Sequence, residues 1–103
     1  MKKTKFVYIW KYIVKEEYIE QFIHAYDVEG DWAKLFRKSR DYLQTELLND
    51  INDPFVYITL DYWENKKARD HFIKLHQSEY YEIDKKCEFL IIKEELIGEY
   101  FVV

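Results

Sequence analysis

Residues 55–63, FVYITLDYW, alternate with period two: Val56, Ile58, Leu60 and Tyr62 fall on one side, Tyr57, Thr59, Asp61 and Trp63 on the other. Such alternation marks a strand whose two faces meet different surroundings. A helix-like run, Asn65 to His76, follows at once. The first side suits a layer of helices. The second carries rings too large to leave in water, together with a carboxylate and hydroxyls that an ordinary core excludes. Function is sought on that second side.

Phe6–Val14 repeats the pattern, with Phe6, Tyr8, Trp10 and Tyr12 opposite Val7, Ile9, Lys11 and Ile13; its β-branched and aromatic content favours a strand. From Glu16 to Tyr26 the period becomes helical, with Tyr18, Phe22, Ile23 and Tyr26 on one side and Glu16 and Glu17 at the positive end of the helix dipole. Asp27–Gly30 is a break, and Asp31 is expected to cap a short helix through Phe36 that turns Trp32, Leu35 and Phe36 inward. Tyr42–Leu48 reads as a second strand with Leu43, Thr45 and Leu47 on one side, although several of its residues also favour helix. NDINDP, residues 49–54, is dense in turn formers and makes the next connection a hairpin. Asn65 caps a helix whose inner side is expected to hold Ala68, Phe72 and Leu75. Ser78 starts another helical stretch with Tyr80, Ile83, Cys87 and Leu90 inward. Glu95–Val103 returns to strand, Gly98 marking a bulge or a close backbone approach.

Strand, helix, strand, strand, helix, strand is the split βαβ plan of an α+β, ferredoxin-like fold with a four-stranded antiparallel sheet. Helices cover one face of such a sheet. The face with Tyr8, Trp10, Tyr57 and Trp63 is expected to lie away from them, as an apolar patch larger than monomers tolerate. A second copy of the sheet is the simplest cover, so a homodimer is expected.

At 103 residues and 49% hydrophobic content the chain is read as one domain, residues 1–103, with its own core. The net charge of -4 comes from interleaved acids and bases with no basic stripe, so no nucleic-acid partner is expected. No apolar run approaches the ~18 residues of a membrane helix. Lys11 interrupts the amino-terminal run that looks most like a secretion signal, and no small-residue cleavage site follows it. The lone cysteine, Cys87, excludes an internal disulfide framework and fits a cytoplasmic protein without a membrane partner.

The segment WAKLF (32–36), the strands YLQTELL (42–48) and YITLDYWE (57–64), and the helix bearing Cys87 give the chain a resemblance to the antibiotic biosynthesis monooxygenase family over nearly its whole length. The resemblance implies a dimeric α+β barrel, two ferredoxin-like sheets face to face, with a small-molecule pocket in each subunit. In the members that act as enzymes it implies oxygenation of aromatic polyketides without metal or flavin. Haem-degrading members place an Asn on the first strand and a Trp and a His on the helix after the third. Here FVYIWKYIV has no Asn, Phe72 stands where that Trp falls, and Glu82 stands near the His position. Haem chemistry does not carry over, and no cofactor is expected.

Asp61, on the aromatic side of its strand, reads as a general base with a pKa raised by desolvation, or else as a carboxylate paired with a lysine or arginine or solvated near a sheet edge. His76, just after Phe72 and Leu75, is the second candidate for proton transfer; a solvated or capping histidine is the other reading. Tyr8, Trp10, Tyr57, Trp63 and Phe72 are candidates to hold a planar ring, or equally an aromatic interface core. One of Tyr80 and Tyr81 is expected to face the pocket. His71 and His76 diverge by about 140° on a helix, so no metal site is expected. Cys87 reads as a small buried hydrophobe. Two functions follow: a cofactor-independent monooxygenase acting on a small aromatic molecule in a pocket between sheet and helices, or a non-catalytic dimer that binds such a molecule or serves as a scaffold.

Overall fold

The computed structural model describes residues 5–103; Met1–Thr4, the head of the expected domain and of the basic amino-terminal run, lie outside the described residues. The strands are β1 (Phe6–Val14), β2 (Tyr42–Asn49), β3 (Val56–Trp63) and β4 (Ile91–Phe101), and the helices α1 (Ile19–Tyr26), α2 (Asp31–Phe36), α3 (Lys66–Leu75) and α4 (Gln77–Cys87). They form one antiparallel sheet in the order β2-β3-β1-β4, the ferredoxin-like arrangement with the helices on one face. Among the described residues no helix is long and apolar enough to cross a membrane.

Register decides which side chains share a face. Phe6, Tyr8, Trp10 and Tyr12 stand opposite Trp63, Asp61, Thr59 and Tyr57, and this set packs against the helices. Tyr12 lies 5.3 Å from Phe22 and 5.0 Å from Tyr26, ring to ring, and Trp63 meets Phe36 at 5.4 Å. The expectation is thereby corrected: the aromatic face is the helix-covered one, and the aliphatic Val7, Ile9, Ile13, Val56, Ile58 and Leu60 form the helix-free face. The physical reason lies in the helices. α1 and α2 present rings of their own, Phe22, Tyr26, Trp32 and Phe36, and edge-to-face contacts between rings fill the space between sheet and helices in a way flat aliphatic rows do not.

Smaller differences have equally local causes. The first helix opens with a 3-10 turn at Glu16–Tyr18. Gly30, not Asp31, is the residue before α2; a Cβ there would run into the backbone carbonyl of Ala25, so the chain reverses where only glycine fits. A bulge between Tyr42 and Gln44 turns Tyr42 to the helix side, where its ring lies 5.4 Å from Trp63. Asn65 caps α3 as expected, its Oδ1 accepting from the Ala68 N–H at 2.7 Å, and this fixes the phase of the helix. The inner stripe then runs through Arg69, Phe72 and His76, three and four residues apart, leaving Leu75 68% exposed. β4 begins at Ile91 rather than Glu95 because β1 offers a pairing edge along its whole length, and its register slips opposite Ile9 and Trp10, beside Gly98.

Candidate functional site

Between the aromatic face and the helices the packing leaves a cavity of about 260 Å³. Its floor is Tyr8, Trp10 and Tyr12 of β1 with Asp61 and Trp63 of β3; Trp32 and Phe36 of α2 and Arg69 of α3 wall it, and Tyr80 of α4 closes it. All three tryptophans of the chain line it. Large rings on both layers keep the backbones apart, and where their edges do not meet a space remains.

Asp61 reaches that space because its strand position alternates with Thr59 and Trp63, both buried. Thr45 stands opposite on β2 and its hydroxyl donates to Asp61 Oδ1 at 2.6 Å. A threonine hydroxyl has a single proton, so with that proton on the carboxylate the contact between Tyr42 Oη and Thr45 Oγ1, 2.6 Å, has the tyrosine donating. Tyr42, Thr45 and Asp61 thus form a chain of hydrogen bonds aimed at one carboxylate. Burial lifts the Asp61 pKa from 3.8 to about 6, against the opposing effects of the Thr45 hydrogen bond and the Arg69 charge. The carboxylate is half-protonated near pH 6 and mostly ionised at neutral pH, the range a general base works in.

Arg69 lies with its guanidinium carbon 3.8 Å from the centroid of the Tyr8 ring, a cation–π stack, and its Nη1 donates to Asp70 Oδ1 at 3.1 Å. Among the described residues it is the one lysine or arginine in the cavity lining. The phenols of Tyr12 and Tyr26 are held well above their usual range by burial, and that of Tyr80 is raised for the same reason; they remain neutral walls rather than acids. Trp32 Nε1 and Thr59 Oγ1 are buried without a hydrogen-bond partner. Among the described residues no group of three or more His, Cys, Asp or Glu is arranged to hold a metal ion.

The structure brings together Tyr8, Trp10, Asp61 and Trp63 around the cavity. The remaining sequence candidates stand outside its lining. Tyr57 packs on Phe22 at 5.2 Å, and Phe72 lies behind Trp63 at 5.6 Å. His76 stacks on Phe72 at 4.3 Å and its Nδ1 lies 2.7 Å from Glu79 Oε1, at the joint between α3 and α4. Of the adjacent tyrosines Tyr80 faces in and Tyr81 is 60% exposed. Sequence reasoning passed over Thr45, Trp32, Arg69, Asp84 and Glu94. Arg69 was within reach: it lies four residues after the Asn65 cap and three before Phe72, on the inner stripe.

A wider crevice of about 360 Å³ lies between α1 and the end of α4, over Cys87 and Leu90. Its exposed lining is mostly apolar; of its charged members Glu20, Asp31 and Lys86, the last two pair with each other at 3.0 Å, and burial pushes the Cys87 thiol up. It lacks the convergent polar groups of the cavity around Asp61.

No protein-family model and no curated protein matches the chain. Solved structures do. A Nitrosomonas europaea protein provisionally named an antibiotic biosynthesis monooxygenase superposes with a TM-score of 0.76 at 13% identity, over 100% of this chain and 94% of that one. SnoaB, a cofactor-independent oxygenase from Streptomyces nogalater, gives 0.72 at 14% identity over 97% and 94%. The fold is that of the antibiotic biosynthesis monooxygenases. A conserved protein from Methanosarcina mazei Go1 superposes as well, at a TM-score of 0.73 and 16% identity over 95% of this chain and 92% of that one. At these identities the likeness establishes architecture, and chemistry has to be argued from the cavity.

Proposed function

We propose that the protein is a cofactor-independent monooxygenase that acts on a small phenol, hydroquinone or polyketide-like ring held in the cavity beside Asp61. The observation that carries this reading is the carboxylate itself, set among rings, fed by the Tyr42–Thr45 hydrogen-bond chain and lifted to a pKa of about 6. SnoaB, which shares the fold, is described as a cofactor-independent oxygenase.

Asp61 takes the hydroxyl proton of the bound ring, and the Arg69 charge stabilises the phenolate that results. The electron-rich ring carbon donates electrons to dioxygen and a carbon–oxygen bond forms. The peroxide collects a proton, and loss of water leaves a carbonyl. One oxygen atom enters the product, the other leaves in water, and the substrate supplies every electron. The protein contributes orientation between Trp10 and Trp63, exclusion of water and the proton transfer.

The active unit in this reading is a homodimer. Val7 and Val56 are already buried in this chain, while Ile9, Ile13, Ile58 and Leu60 leave a half-buried aliphatic strip on the helix-free face, and a second sheet covers it most simply. Oxygen uptake with a panel of naphthols and anthrones tests the chemistry. Turnover above the buffer rate that is lost in Asp61→Asn is expected. Uptake at the buffer rate for all of them would sink the oxygenase, and binding without uptake would leave a ligand-binding protein.

A further inference from the structure

The cavity is unbalanced in charge. Besides Asp61 it is lined by Asp84 of α4 and Glu94 of β4, against the single guanidinium of Arg69. That guanidinium is already engaged, stacked on Tyr8 and bonded to Asp70. Asp84 and Glu94, by contrast, stand at the solvent-exposed edge of the lining and have no ion-pair or hydrogen-bond partner among the described residues. Partial burial, and to a lesser extent the charge of Asp84, raises the Glu94 carboxyl above its usual range.

Their position along the sheet is as informative as their charge. Asp61 stands beside Tyr8 and Glu94 beside Tyr12, four residues further along β1, or roughly 13 Å at ~3.3 Å per residue. The carboxylates therefore enter from opposite ends of the cavity, with Trp10 between them. Eight of its twelve lining residues are aromatic, and ring faces attract cations through their quadrupole. An anionic ligand meets repulsion at both ends; a ligand with a phenol at one end and a positive charge at the other meets a proton acceptor and then an acid pair.

We propose that the cavity takes a phenol carrying a protonated amine on a short arm, its ring beside Asp61 among Tyr8, Trp10 and Trp63 and its ammonium between Asp84 and Glu94. This deepens the oxygenase reading, on which it rests for the role of the site, by assigning the substrate a charge: an aminoalkyl phenol rather than an aromatic acid. Discrimination against the acid comes from the unpaired carboxylates, which act as a repulsive element as well as an attractive one.

Titration calorimetry with three matched phenols tests it: tyramine, its neutral alcohol analogue 4-(2-hydroxyethyl)phenol, and 4-hydroxyphenylacetate. The expected order is cation, neutral, anion, with tyramine at least roughly tenfold tighter than the alcohol at low ionic strength and the gap narrowing as salt is added. The double variant Asp84→Asn/Glu94→Gln brings the tyramine-to-alcohol ratio towards one. Glu82→Gln, on the same helix outside the cavity lining, keeps it. Equal affinities, tightest binding of the acid, an unchanged ratio in the folded double variant, or no binding of any of the three overturns the proposal. Oxygen uptake is a separate readout: naphthol turnover without a cation preference defeats only this inference, and a cation preference without any uptake defeats only the oxygenase.

Discussion

The two faces of the sheet use different materials for the same task. The helix-covered face is aromatic and contains polar groups, Thr59 and Asp61 among them; the helix-free face is aliphatic along β1 and β3, apart from Lys11 and Tyr62, with Glu46, Lys93 and Glu95 on the flanking strands. Rings packed edge to face leave gaps that can be lined, so the aromatic layer forms a core and a cavity together. Flat rows of Ile, Val and Leu leave no such gaps and suit a broad contact with another flat surface. Cavity and expected partner surface therefore lie on opposite sides of one sheet, and each side can be altered without touching the other.

The largest effect expected from breaking this contrast is at Trp63, 1% exposed and wedged among Phe36, Tyr42 and Phe72. Trp63→Ala removes a ring that three others rest on and is expected to cost about 3–5 kcal/mol, measured by urea unfolding. On the other face Leu60→Lys, opposite Ile9, is expected to unfold nothing. It puts a charge into the aliphatic surface and converts dimer to monomer in sedimentation velocity at micromolar concentration. Wild-type protein that already sediments as a monomer there would remove the partner surface from the account.

Asp61 gives the next effect, and its sign can be worked out. Its folded pKa of about 6 lies above the usual 3.8, so the native state disfavours the ionised form. The carboxyl contributes its full stability below pH ~3.8, and that contribution is lost as the pH rises through about 6; the gap corresponds to roughly 3 kcal/mol. Asp61→Asn is therefore expected to match the wild type near pH 4 and to exceed it in stability near pH 8, in urea unfolding at both pH values. If Asp61 is the base of the proposed reaction, activity is expected to run the other way, rising through pH 6 as the carboxylate ionises and vanishing in the variant. Equal stability differences at the two pH values would show that the carboxylate is solvated after all.

How much of this could be read from the chain depended on what sets each feature. The positions of the first three strands, the Asn65 cap, the Asp27–Gly30 break and the order of elements follow from residues close in sequence and were legible, whereas the start of β4 was set by the edge of β1 and was missed by four residues. Asp61 was legible as well, because a carboxylate among alternating rings stands out. The assignment of faces was not. Both rows of β3 are apolar enough to be buried, and the choice between them depends on the rings of α1 and α2, which meet the sheet only in three dimensions. Leu75 was misplaced for a related reason: the cap phases α3 so that Arg69, Phe72 and His76 turn inward, a stripe that hydrophobicity alone does not reveal because two of its members are basic. Asp84 and Glu94 come from different elements, and only the fold brings them to one cavity.

The finest comparison is between two hydrogen bonds of one kind. On the covered face the Thr45 hydroxyl donates to Asp61 at 2.6 Å; on the helix-free face the Tyr62 hydroxyl donates to Glu46 at 2.7 Å. Each joins β2 to β3, each gives a proton to a carboxylate, and they differ in surroundings. Thr45→Val takes a hydrogen bond from a half-buried carboxylate, so a loss of roughly 1–2 kcal/mol is expected at pH 8, with the pH midpoint of activity displaced upward because the hydrogen bond holds the Asp61 pKa down. Tyr62→Phe leaves Glu46 to the solvent, and its cost is expected to stay within about 0.5 kcal/mol. That small value is itself a probe of the dimer. If a second sheet lies over Tyr62, the cost must grow with protein concentration as the subunits associate; a cost that stays flat across the association range would place Tyr62 and Glu46 outside the contact.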